Sequence, residues 1–181
     1  ALTGFSTRCD FAGRTDAGVH ALGQVAALTT SSAIPLERWT RGLNHFLPES
    51  IAVQAVRGVP LNFDPRRDAL ERTYHYRVCL ASERQPLWTK TAWIFHGSLN
   101  FDVMREALVD LEGEHDFTSF AGRTDTISTV RVLQKASLHA TVNGLEFCLQ
   151  ARSFLPHQVR HTVGQVVSVG RGSSPLSSIR E

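Results

Sequence analysis

The sequence reads as an α+β protein, and three observations carry that reading. Two β-rich runs, 129–140 and 145–154, meet across Val142-Asn143-Gly144, and Asn-Gly is the strongest short hairpin signal. Segments near 36–47, 103–111 and 159–167 place apolar residues at helical spacing. Between them, strands and helices alternate irregularly. The chain has 181 residues, enough for one large domain or two small ones with a real core.

Taken in order, residues 19–29 are expected as a strand with Val19, Ala21, Val25 and Ala27 on one face. Pro35 then opens a helix, since proline suits a first turn. Leu36, Trp39, Leu43, Phe46 and Leu47 form its stripe and Pro48 ends it. Ile51–Val59 is expected to return as a strand. Residues 72–78 alternate with period two, which puts Tyr74, Tyr76 and Val78 on one strand face. Residues 81–91 read as a loop and 92–95 as a short strand. Asn100 caps a helix whose inward side is Val103, Met104, Ala107, Leu108 and Leu111, with Gly113 at its end. After the hairpin, Pro156 leads into a helix over 157–167, striped by Val159, Val163, Val166 and Val167.

Composition narrows the classes. Hydrophobic content of 42% with 20% charged residues describes a globular chain. No apolar run approaches the ~20 residues that span a bilayer, and the N-terminus lacks a signal peptide's basic start and apolar middle. Three cysteines, Cys9, Cys79 and Cys148, lie far apart without a Cys-x-x-Cys pair, which argues against a disulfide framework or zinc site and for a reducing compartment. Net charge is only +2, yet 17 of the 19 basic residues are Arg. Arginine's planar fork suits phosphates and stacks on bases. Biased genomic composition explains the same excess, so RNA binding is one of two readings at this point.

Three stretches carry candidate chemistry. Gly13-Arg14-Thr15-Asp16-Ala17-Gly18-Val19-His20-Ala21 brackets an Arg-Thr-Asp triplet with glycines. Such turns present a carboxylate instead of burying it. A local turn with an Asp–Arg pair is the plainer reading of the tetrapeptide alone. Phe63-Asp64-Pro65-Arg66-Arg67 is followed by Arg72-Thr73-Tyr74-His75-Tyr76. The third stretch is Phe154-Leu155-Pro156-His157-Gln158-Val159-Arg160-His161, ahead of Val163-Gly164-Gln165. His157 and His161 sit four apart on a helix, but no third ligand accompanies them, so no metal site is expected. Gly122-Arg123-Thr124-Asp125 repeats the first tetrapeptide without its continuation and reads as surface or turn chemistry. Phe117 and Phe120 read as anchors of a loop onto the core.

The three stretches, in this order, resemble the motifs of TruA-type tRNA pseudouridine synthases, over essentially residues 9 to 172. The resemblance implies an α+β pseudouridine synthase fold, with a mixed or antiparallel sheet, flanking helices and two similar halves around a central cleft. Residues 1–97 would form the half with the Asp motif and 98–181 the half with the Arg helix. It implies Asp16 as the catalytic residue, Tyr74 stacked on the target base and Arg160 paired with Asp16. Arg14, Thr15, His20, Gln24, Arg72 and Gln158 become candidates for contacting substrate. The implied reaction converts uridine to pseudouridine in the anticodon arm of tRNA, without cofactor or metal, in a cytoplasmic homodimer. The family's opening strand and helix and its closing strand have no counterpart here, so either a fragment or a shortened protein is expected, with backbone donors and apolar surface exposed where a strand is missing. Two other classes remain open to the sequence. They are an RNA-binding protein of this fold without catalysis, and a metal-dependent hydrolase using histidines.

Overall fold

The computed structural model describes residues 2–4, 6–123 and 128–180. It divides into two compact units, Ala1–Ala69 and Leu70–Glu181. This boundary falls upstream of the 97/98 divide expected from the family halves.

The first unit holds β1 (Cys9–Phe11), antiparallel to β2 (Ala26–Leu28), and helix α1 (Leu36–Phe46). Pro35 precedes the helix as expected, and the Leu47 N–H closes on the Leu43 carbonyl. Of the expected stripe, Trp39 is buried and Leu43 and Leu47 are half-buried, while Leu36 and Phe46 stay exposed. Two expected strands are corrected here. The run 19–29 is a strand only over Ala26–Leu28. Earlier residues are diverted by a turn at Asp16–Val19, and the Gln24 side chain occupies backbone groups a ladder would have used. The run 51–59 forms no strand. There the Asn44 side chain takes the place of a neighbouring strand, accepting from the Val53 N–H at 2.7 Å and donating to the Val53 carbonyl at 2.9 Å.

The second unit is built on a five-stranded sheet of order β4-β3-β7-β6-β5, with β3 (Arg72–Leu80), β4 (Trp93–Phe95), β5 (Gly113–Asp116), β6 (Val130–Thr141) and β7 (Gly144–Ala151). Only the β3–β4 pair is parallel, so the sheet is mixed. Helices α2 (Phe101–Asp110) and α3 (Gln158–Gly170) pack with it into one core. The alternation expected on β3 is present. Tyr74 and Tyr76 are half-buried and Val78 buried, opposite Leu149, Phe147 and Leu145 of β7. The other sheet face is polar, and there Glu146 binds Arg77 and His75.

Asn100 caps α2 by accepting from the Asp102 and Val103 N–H groups. Met104, Ala107, Leu108 and Leu111 are buried as the spacing required. Helix α3 runs three residues beyond the expected 167, to Gly170, where a Cβ would meet the Met104 side chain at 2.4 Å. Close approach of α2 and α3 therefore requires glycine there. Residues 81–91 form turns only, as expected. Beyond α2, segment Gly113–Asp116 adds an edge strand, and Phe117 and Phe120 anchor the following loop in the core as expected. The Asn-Gly hairpin closes with Thr141 opposite Gly144. Gly144 adopts φ +147°, and a Cβ would lie 2.1 Å from the Val78 carbonyl oxygen. The expected decoy Asp125 lies outside the described residues.

Two predictions follow from this packing. Gly144→Ala destabilises the fold by about 1–3 kcal/mol from strain alone, read as a lower urea midpoint. Gly164→Ala, on a helix with no atom within 4 Å of the added Cβ, is neutral or stabilising by up to about 1 kcal/mol. The second concerns pH. The Arg77 guanidinium bond draws the Glu146 carboxyl below the usual glutamate range, burial opposes this, and the His75 bond adds to the lowering. A depressed carboxylate stabilises the fold above its unfolded value, and the contribution is lost as pH falls through the folded one. Thermal melts below about pH 4.3 should fall less steeply for Glu146→Gln than for the parent chain.

Candidate active site

The carboxylate singled out by sequence sits on a built turn. The Val19 N–H donates to the Asp16 carbonyl at 3.0 Å. Gly18 has φ +83°, and nothing lies within 4 Å of where its Cβ would be. Conformation, not space, therefore demands glycine at the third position of this turn, the position with positive φ in type II geometry. Arg14, Thr15, Asp16 and His20 are all exposed.

Gln24 is bonded to the protein's own backbone. Its Nε2 donates to the Gly13 carbonyl at 2.8 Å and its Oε1 accepts from the Gly13 N–H at 3.3 Å. Both ends of the amide thus hold the backbone immediately before Arg14. Gln24 braces the loop through one bond at each end of its amide. Further along this unit, Asp64 accepts from the N–H groups of Arg66 and Arg67 at 2.8 and 3.0 Å. These bonds, Arg67's foremost, hold its carboxyl below the usual aspartate range.

In the second unit the sheet brings several expected residues to one end. Arg72 opens β3 opposite Ala151, and its guanidinium donates to the Arg152 carbonyl. Tyr74, two residues on, meets Phe154 edge to face with ring centroids 5.1 Å apart. Leu155-Pro156 then leads into α3. His157 caps that helix with φ +62°, the one non-glycine at positive φ among the described residues. Such backbone costs about 1–3 kcal/mol and persists only where its surroundings impose it. Those surroundings are visible. The Gly122 N–H donates to the Pro156 carbonyl at 2.7 Å, and a Cβ on Gly122 would strike the His157 ring at 2.4 Å. The His161 Nδ1 lies 3.0 Å from the Phe120 carbonyl oxygen. The 120–122 segment is thereby fastened to the first turn of α3, from which Arg160 projects, exposed.

Gln158, expected to contact substrate, is only 2% exposed, and its Oε1 accepts from the Leu155 N–H at 2.8 Å. It secures the entrance to the helix. The clamp by Gln24 and the Gly122–His157 fastening escaped the sequence reading. The only signals for them were a Gln spaced eleven from a glycine and a glycine in a repeated tetrapeptide. Among the described residues no group of three or more His, Cys, Asp or Glu side chains is placed to hold a metal ion. No described helix is long and apolar enough to cross a membrane.

Comparison with known proteins agrees with these motifs. The family model described as tRNA pseudouridine synthase matches residues 3–67 and 107–181. The tRNA pseudouridine synthase A of Geobacter sp. (strain M21) is 38% identical over 179 residues, covering 98% of this chain and 72% of that protein. The tRNA pseudouridine synthase A of Burkholderia thailandensis and that of Burkholderia mallei (strain SAVP1) are each 40% identical over 171 residues, covering 94% of this chain and 63% of theirs. The chain thus spans just under two-thirds of the length of its Burkholderia relatives. It belongs to the tRNA pseudouridine synthase family, an isomerase family. The segment with Arg72 and Tyr74 lies between the two matched stretches, so its placement here rests on β3.

The turn yields a direct prediction. Gly18→Ala forces an L side chain into left-handed backbone, which costs about 1–2 kcal/mol. Limited proteolysis should cut the 13–20 segment faster in this variant than in the parent chain.

Proposed function

We propose that this chain isomerises uridine to pseudouridine in the anticodon stem-loop of tRNA, with Asp16 as the catalytic residue. The observation that carries the proposal is the exposed carboxylate on a glycine turn, braced through Gly13 by Gln24. A group held on an exposed turn by its backbone, and not by burial, faces solvent where a large substrate can reach it.

The reaction breaks the bond between ribose C1′ and uracil N1, turns the base, and joins C1′ to C5. The proton leaves C5 and N1 gains one, so atoms and electrons balance within the nucleotide. No cofactor or metal is needed by this stoichiometry. The target leaves the stack before reaction, since chemistry on a base requires its extrusion. In this reading Asp16 acts on the ribose and Arg14 fills the space the base vacates. Tyr74 stacks on the extruded uracil, a contact worth about 1–3 kcal/mol. Arg160 pairs with Asp16 and favours its charged form. Thr15, His20 and Arg72 contact the RNA, and arginine contacts to phosphate position the substrate without reading its sequence. Gln24 and Gln158 hold these groups in place. The same resemblance supports a homodimer working in the cytoplasm.

The test is pseudouridine formation in unmodified tRNA. Conversion confined to the anticodon arm, lost by at least about 10³-fold in Asp16→Ala, is the expected result. Tyr74→Ala should lose about 10- to 100-fold, while Tyr74→Phe keeps most of the stacking. Tight tRNA binding without conversion by the unaltered chain would instead favour an RNA-binding protein of this fold.

A further inference from the structure

Tyr74 and Tyr76 stand on the same face of β3, yet they are held differently. Tyr76 packs against the buried core of the second unit, as does Phe154. Among the described residues Tyr74 lies outside that packed set, although it is half-buried. The ring against it is Phe154, edge to face, with centroids 5.1 Å apart and planes at 90°. A tyrosine ring turns about a broad, two-fold torsion. Its plane is therefore set by its neighbours and not by a rotamer well of its own.

Phe154 can fix that plane only if its own place is fixed. It sits in the connector 152–156 between the end of β7 and the start of α3. Bonds from three separate places hold this connector. The Arg72 guanidinium, at the start of β3, donates to the Arg152 carbonyl. The buried Gln158 side chain, at the start of α3, accepts from the Leu155 N–H at 2.8 Å. The Gly122 N–H donates to the Pro156 carbonyl at 2.7 Å. Leu155, next to Phe154, is itself buried. The backbone on both sides of Phe154 is thus tied down.

A plainer account has Phe154 merely filling core space. The perpendicular planes favour orientation instead, since the quadrupoles of two rings prefer this arrangement and an aliphatic side chain of similar bulk would supply none of it. The contact also falls on the ring whose plane matters, because a base stacks only on an aromatic face presented to it. The same connector runs on into α3, so Arg160 leaves from the backbone that carries Phe154.

We propose that Phe154 is a positioning residue, setting the plane of Tyr74 for the extruded base. The inference rests on the stacking role proposed for Tyr74. It is tested by single-turnover rates of pseudouridine formation in Phe154→Leu, Tyr74→Ala and the combined variant. Phe154→Leu keeps apolar bulk and removes the ring. Its rate should fall about 2- to 10-fold, the worth of an edge-to-face pair, with tRNA affinity unchanged within about twofold. Phe154→Tyr, which keeps a ring, should retain most of the parent rate. In the Tyr74→Ala background Phe154→Leu should cost nothing further, because a residue that acts through another is non-additive with it. A core-filling role would slow both backgrounds equally. That result, or an undiminished rate in Phe154→Leu, overturns the inference and leaves the role of Tyr74 intact. If the Leu variant does not fold, Phe154→Met carries the same cycle. The chain has two tyrosines, so selective labelling gives two ring signals by NMR. The Tyr74 signal should shift in Phe154→Leu without RNA present, and an unmoved signal overturns the contact. Tyr74→Ala as fast as the parent chain overturns the stacking role and this inference together, as does absence of conversion by the unaltered chain.

Discussion

The second unit depends on the burial of one face of β7. Leu145, Phe147, Leu149 and Ala151 are all buried, each at 1% exposure or less, while the residues between them stay half-buried. The strand lies between β3 and β6, so its register fixes theirs. A slip of one residue would turn four apolar side chains to the polar face and drive Glu146 and Gln150 into the core. Nothing else in the unit carries so many consequences. The register sets Tyr74 opposite Leu149 and Arg72 opposite Ala151. It also decides where the chain leaves β7 to enter α3.

The first unit is held differently. Among its described residues only Trp39 and Pro65 are buried. Side chains gripping backbone do much of the work there. Gln24 holds Gly13, Asn44 holds Val53, and Asp64 holds Arg66 and Arg67. Each such bond contributes only about 0.5–1.5 kcal/mol, so order in this unit is local. That arrangement suits the role proposed for the 13–20 loop, presenting a carboxylate to a large substrate. The expense is a surface on which Phe11, Leu22, Leu28, Phe46 and Ile51 remain exposed.

Legibility in the sequence followed the source of order. Elements fixed by burial periodicity were readable. They include the 101–110 helix with its Asn100 cap, the alternation on β3, the hairpin at Asn143-Gly144 and the valine stripe of α3. Elements fixed by side chain–backbone bonds were not. The runs 19–29 and 51–59 look like strands because their apolar residues are spaced like strands. Yet the Gln24 and Asn44 amides take backbone partners that a neighbouring strand would have used. Gln24 and Gln158 sit inside recognisable motifs and are expected to touch substrate; the structure adds that each also bonds the protein's own backbone, which no motif announces. Asp16, Arg160 and Tyr74 are singled out by resemblance alone; the first two are exposed and Tyr74 is half-buried. The positive φ of His157 had no local sequence signal, since the contact that crowds its ring comes from Gly122, far away in the chain.

The central claim is that Asp16 and Arg160 act as one unit on the ribose of a tRNA uridine. The most direct measurement is a double-mutant cycle on the single-turnover rate of pseudouridine formation, using Asp16→Asn, Arg160→Gln and the combined variant. Residues that act as a unit are strongly non-additive, so the combined variant should be no slower than Asp16→Asn alone. Losses that multiply, with Arg160→Gln slowing the Asp16→Asn background as much as it slows the parent chain, would contradict the pairing and the account built on it.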